Sequence, residues 1–122
     1  MRRMQQSSGI EEDPRFIQGI ELFNAADFFE AGDVFEELYF EAILGELEFI
    51  RVFLQLSVGC LHAERRQIRP AIERLGEGIL AVDRVSDPRG YDLAALKEEM
   101  ERMVRQLSAG ETAAPWPAIL RS

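Results

Sequence analysis

Between Leu47 and Arg66 the chain carries Phe49, Ile50, Val52, Phe53, Leu54, Leu56, Val58, Cys60 and Leu61. At about 100° per residue these side chains cover most of a helix circumference. A helix that is apolar nearly all round cannot lie on a surface; other elements must enclose it. The run is roughly 30 Å long at the helical rise. Glu48, Arg51, Gln55 and His62 interrupt it, so it does not read as a membrane span. Its last turn is basic, with Arg65 and Arg66, which suits the negative end of a helix dipole. Whatever this chain folds into is built around that helix.

The remaining elements read as helices too. Asp13 caps a first helix that opens on Pro14 and runs to about Ala25, with Phe16, Ile17, Ile20 and Phe23 at helical spacing. Asn24–Asp27 forms a corner. Asp27 with Glu30 fits a capping box opening a second helix, which runs to about Leu44 with Gly45 as its stop signal. Pro70 starts a fourth helix, to about Arg84, in which Gly76 and Gly78 either weaken the element or mark packing contacts. Gly59 in the third helix reads the same way. Asp92 caps a fifth helix with Leu93, Leu96, Met100, Met103, Val104 and Leu107 on one face, ended by Gly110. No alternating apolar–polar run is found. The expected fold is a single all-α domain of about five helices, with the buried third helix central. Residues 1–12 form a flexible N-terminus, 13–110 the helical domain, and 111–122 a Pro/Trp-containing tail. Pro115 and Pro117 exclude a regular helix there, and Trp116, Ile119 and Leu120 favour docking on the protein's own surface.

Composition narrows the function classes. A chain of 122 residues with 47% hydrophobic and 30% charged residues can bury a core without disulfides or a metal. The net charge of -8 disfavours nucleic acid and anionic membrane surfaces as partners. Cys60 is the only cysteine, expected as a buried thiol. The N-terminal MRRMQQSSG has no apolar core of a secretory signal, so a cytoplasmic location is expected.

The acids concentrate in one place. Asp27, Glu30, Asp33, Glu36, Glu37, Glu41, Glu46 and Glu48 fall within 22 residues that hold no base. Asp33/Glu37 and Glu37/Glu41 are like-charge i,i+4 pairs, each costing about 0.2–0.5 kcal/mol in an isolated helix. A solvated face, or ion pairs with arginine on a neighbouring helix, is the plain way to offset this. A cation site is the functional way, with Glu30, Asp33, Glu36 and the lone His62 as the ligands a divalent metal would need. One histidine excludes a His-rich zinc motif and the paired Glu-x-x-His of di-iron bundles. No nucleophile elbow or phosphate loop is present.

Several segments, LFNAADFFEAGDVFEELY, then FIRVFLQLSVGCLH, then RGYDL, resemble the helical prokaryotic family catalogued as domain of unknown function 309. That family's pattern runs F-N-x-x-x-F-F-E-A-H-E-x-x-E-x-x-W, F-x-Q-G-x-I-Q, a later His, and G-x-D-L. Phe23, Asn24, Phe28, Phe29, Glu30, Ala31, Glu36, Gln55, His62, Gly90, Asp92 and Leu93 match it. The resemblance, taken over about Pro14–Leu107, implies a small helical protein. It also implies the metal-dependent hydrolase label sometimes given on the strength of H-E-x-x-E, with no reaction established. This chain departs where it matters: the motif histidine is Gly32, its neighbouring glutamate is Asp33, and the tryptophan is Tyr39. The family's Q-G is Arg51-Val52.

Three function classes follow. The first is a non-catalytic binding or interaction module with no cofactor. Its polar seam between the second and third helices would comprise Glu30, Asp33, Glu36, Arg51, Gln55 and His62. In that seam Arg51 is expected to pair with Asp33 or Glu36 as a fixed cation in place of the missing imidazole or metal. Alternatively, Gly32 leaves a small cavity that admits a ligand. The second class is a metal-dependent hydrolase using a divalent metal on the carboxylates and His62. The third is a structural homo-oligomer, joined through the fifth helix and the tail.

Overall fold

The computed structural model describes residues 9–122. The part of the expected flexible N-terminus that precedes Gly9 lies outside the described residues. From Ile10 onward the chain is ordered by the core: Ile10–Glu12 is a 3₁₀ turn and Ile10 is wholly buried. Five helices follow: α1 (Pro14–Asn24), α2 (Phe28–Glu41), α3 (Leu47–Glu64), α4 (Ile68–Arg84) and α5 (Leu93–Ser108). The fold is all-α. Among the described residues the only β-type pairing is an isolated bridge, Tyr91 with Arg121.

Helix α3 is the middle of the array. It packs on α2 and on α4, while α1 packs on α2 and α5 on α4. The outer helices thus reach α3 largely through side chains rather than by lying along it. Phe16 of α1 does this most directly, with ring centroids 5.5 Å from Phe49 and 5.1 Å from Phe53. Phe35 of α2 and Tyr91 close the same cluster. Such pairs add about 0.5–1.5 kcal/mol each beyond the area they bury. Glycines allow the close crossings, Gly19 among them, where a Cβ would lie 2.7 Å from Phe35. A Cβ on Gly59 would lie 2.7 Å from Leu75 of α4, and one on Gly78 would lie 2.7 Å from Met100 of α5. Gly76 faces open space.

The helix ends differ from the sequence expectation in instructive ways. Asp13 and Asp92 cap α1 and α5 as expected, accepting from the N–H of Arg15 and Ala95. Asp27 occupies the N-cap position of α2, but its side chain makes no capping bond. Helix α2 stops at Glu41, with Ala42 extended, and Leu44–Glu46 forms a 3₁₀ turn leading straight into α3. The early stop turns Glu46 inward, where its carboxylate, 2% exposed, accepts from the N–H of Ile10 at 3.1 Å. Pro70 is the third residue of α4, not the first; it tolerates that place because a first-turn N–H has no intrahelical partner.

The tail docks on the protein's own surface. Trp116 meets Phe28 edge-on at 5.1 Å. Asn24 both donates to the carbonyl of Ile119 and accepts its N–H. Arg102 donates to the carbonyls of Ala113 and Pro115, and Gln106 to that of Thr112. No helix is long and apolar enough to cross a membrane among the described residues.

Candidate functional site

The acids of α2 divide into two groups by their partners. Glu37 and Glu41 lean toward α1. Arg15 donates to Glu37 at 3.2 Å, and two of its nitrogens grip Glu41 at 2.8 and 3.0 Å. The same guanidinium holds Asp13, the α1 cap, at 3.1 Å. Its hydrogen bonds to Glu41 and then Asp13 push the Arg15 pKa up, and Arg15 in turn holds the Glu41 carboxyl below its ordinary value. An arginine on a neighbouring helix therefore does offset the acidic stripe, but it comes from α1 and not from α3.

Glu30, Asp33 and Glu36 face outward. All three are exposed, and among the described residues none has a hydrogen bond or ion pair. Arg51, expected to pair with Asp33 or Glu36, instead donates to Tyr39 Oη at 2.5 Å and stacks its guanidinium 5.4 Å from that ring. Its charged partner is Glu48 on its own helix, Nε to Oε1 3.9 Å. That span is too long for a hydrogen bond, and both buried atoms lack one among the described residues. The physical reason is register: Glu48 precedes Arg51 by three residues on one helix face, and Tyr39 reaches across from α2 where Asp33 and Glu36 point away.

The remaining seam residues are equally separate. Gln55 accepts from Arg74 of α4 at 3.3 Å. His62 meets the side-chain amide of Gln67 through Nδ1 at 2.6 Å. No three His, Cys, Asp or Glu side chains among the described residues come together as a metal site, so Glu30, Asp33, Glu36 and His62 do not converge. Gly32, where a small cavity was the alternative expectation, faces α3. It is buried against Ser57 and Val58, whose atoms stand 3.9 and 3.7 Å from where its Cβ would be. Ser57 Oγ, wholly enclosed there, has no hydrogen-bond partner among the described residues.

Two concavities lie near these residues. A shallow cleft of about 420 Å³ between the start of α2 and the end of α3 includes Asp27, Glu30, Glu64 and Arg65. A larger one of about 550 Å³ lies between the α3–α4 corner, the end of α5 and the tail, walled by Ala63, Leu107, Ala113 and Trp116. Its charged members, Glu64, Arg66 and Glu111, are all exposed at the rim. The tail's Trp116 was the sequence signal for this cleft; the helix ends that complete it carried none.

The outer face of α2 carries the other feature. Its inner face, Phe28, Ala31, Gly32, Phe35 and Leu38, is buried. Yet Phe29 is 56% exposed, Phe40 79%, Ile43 65% and Leu44 86%.

The family model described as Domain of unknown function (DUF309) matches residues 16–73, slightly less than half of the chain. Over that span the chain resembles DUF309. The matched residues run from Phe16 of α1 through α2 and α3 into α4, and so include the acidic helix, Arg51, Gln55 and His62. The segment Arg89–Leu93 and all of α5 fall beyond the match, which is narrower than the motif comparison implied. No curated protein matches the chain.

Proposed function

We propose that this protein is a non-catalytic interaction module that holds a partner protein through the outer face of α2. The observation that carries this reading is the set of large apolar side chains left in solvent on α2 and on the turn that follows it. Phe29, Phe40, Ile43 and Leu44 are each more than half exposed. The groups best suited to chemistry, by contrast, do not share a partner: Arg51 binds Tyr39 and His62 binds Gln67, while Glu30, Asp33 and Glu36 are exposed with no partner among the described residues. Hydrolysis needs a nucleophile or activated water, a proton acceptor and a charge stabiliser within one site. Here His62, Arg51 and the α2 carboxylates point to three different places.

The net charge of -8 fits a protein partner better than nucleic acid or an anionic membrane. A cytoplasmic setting suits the free Cys60 thiol, which is buried and whose pKa burial pushes up. No cofactor is part of this reading.

A photo-reactive amino acid placed at position 36 in living cells tests it, with the same group at the exposed Glu73 of α4 as control. A discrete cross-linked adduct at position 36 and none at 73 is expected. Turnover of ester, amide or phosphoester substrates with Mg²⁺, Mn²⁺ or Zn²⁺, lost in Glu36→Gln, would overturn the reading in favour of a metal-dependent hydrolase.

A further inference from the structure

We infer that the outer face of α2 receives a basic amphipathic helix, an inference that rests on the interaction-module reading and names its partner's chemistry. Phe29, Asp33, Glu36 and Phe40 follow one another at i, i+4, i+7 and i+11, so they share one stripe of the helix. All four are exposed. The two rings stand about 16 Å apart at the helical rise, with two carboxylates between them. Ile43 and Leu44 extend the apolar end where α2 gives way to its 3₁₀ turn. A helix laid along this stripe would bury an apolar anchor at each end. Between the anchors it would meet only acid.

Charge decides what that helix carries. The stretch Asp27–Glu48 holds no lysine or arginine. Arg15 is committed to Glu37, Glu41 and Asp13, and Arg51 to Tyr39 and Glu48. Asp33 and Glu36 thus have no cation of their own among the described residues, and desolvating them against an apolar partner would be costly. Lysine or arginine between the partner's anchors removes that cost and steers the encounter.

A second copy of this chain is a poor occupant for the same reason. Two α2 helices packed antiparallel about a two-fold axis would set Phe29 against Phe40. They would also set Asp33 against Glu36, bringing four carboxylates together with no counter-charge.

The test uses the full chain and a synthetic 18-residue helical peptide with two leucines eleven residues apart and lysines between them. Its twin carries glutamate in place of lysine. Fluorescence anisotropy is expected to show the basic peptide bound and the acidic twin not. Asp33→Lys with Glu36→Lys should weaken the basic peptide at least about tenfold and create binding of the acidic twin. Phe40→Ser, at a position 79% exposed, should weaken it by a similar factor while the variant's helical circular dichroism matches that of the natural chain. An equal loss in the control Glu73→Lys with Glu77→Lys would overturn the inference, because attraction would then follow net charge alone. Sedimentation showing a dimer that excludes the peptide would overturn it as well. A cross-link from position 36 to a partner segment without basic residues would overturn the partner class while leaving the interaction-module reading in place.

Discussion

At the scale of single residues, the spacing to a neighbour sets the consequence of adding one methyl group. Gly32 and Gly59 are both buried glycines within helices. An alanine Cβ at 32 meets Val58 and Ser57 at 3.7 and 3.9 Å, ordinary contact distances. Gly32→Ala should therefore raise stability by about 0.5–1 kcal/mol, the usual helix gain over glycine. The same change at 59 drives Cβ to 2.7 Å from Leu75, a wholly buried side chain. Gly59→Ala should lose about 1–3 kcal/mol through overpacking. Urea unfolding of the two variants checks both signs, and two changes of the same sign would contradict the packing described. Both glycines were visible in the sequence, and one was expected to mark a close crossing. Neither distance was, because it depends on how two helices far apart in the chain meet.

At the scale of elements, α1, α3 and α5 end the same way. A residue with positive φ follows each cap: Ala26 at 64°, Arg66 at 63° and Gly110 at 80°. The next N–H reaches back to Leu22, His62 and Gln106 respectively. This is the Schellman closure, which usually takes glycine because an L side chain is strained there. Only Gly110 announced itself in the sequence. Ala26→Gly is expected to stabilise the protein by up to about 1 kcal/mol, the relief of strain being partly cancelled by the freer unfolded chain. Thermal unfolding would show it as a higher midpoint.

The α1–α2 pair also has a pH dependence of known sign. Glu41's pKa lies below its ordinary value of 4.5 because Arg15 donates to it. A carboxyl group that binds its proton less readily when folded stabilises the fold above its unfolded value. The contribution fades as pH falls through the lower folded one. The stability difference between the natural chain and Arg15→Gln should be full near about pH 7 and shrink on acidification below 4.5. A difference that grows in acid would exclude the ion pair as its source.

At the scale of the whole molecule, the C-terminal tail is part of the core rather than an appendage. Ala113 and Ile119 are each 3% exposed. The strand-like contact of Arg121 with Tyr91, and the bonds from Asp92 to Leu120 and from Ser122 to Gly90, bind its end to the loop before α5. Ile119→Ala should cost about 2 kcal/mol or more, and truncation after Gly110 should cost more still, lowering the unfolding midpoint while leaving the mass in solution unchanged. A drop in oligomer size on truncation would instead make the tail an assembly element.

What the sequence alone determined is the number and order of the helices and which of them is central, features that depend on periodicity along the chain. Helical periodicity located five helices, Asp13 and Asp92 marked two starts, and the run Leu47–Arg66, apolar over most of its circumference, identified the helix that had to lie in the middle. Tertiary structure alone decided which arginine met the α2 acids, that Arg51 turned to Tyr39, that His62 stood apart from every carboxylate in the expected seam, and that Phe29 and Phe40 were left in water. Periodicity gives each side chain an angle about its own helix axis; only the rotation and offset of one helix against another says what lies at that angle, and those are set by the packing of Phe16, Phe35, Phe49 and Phe53 together.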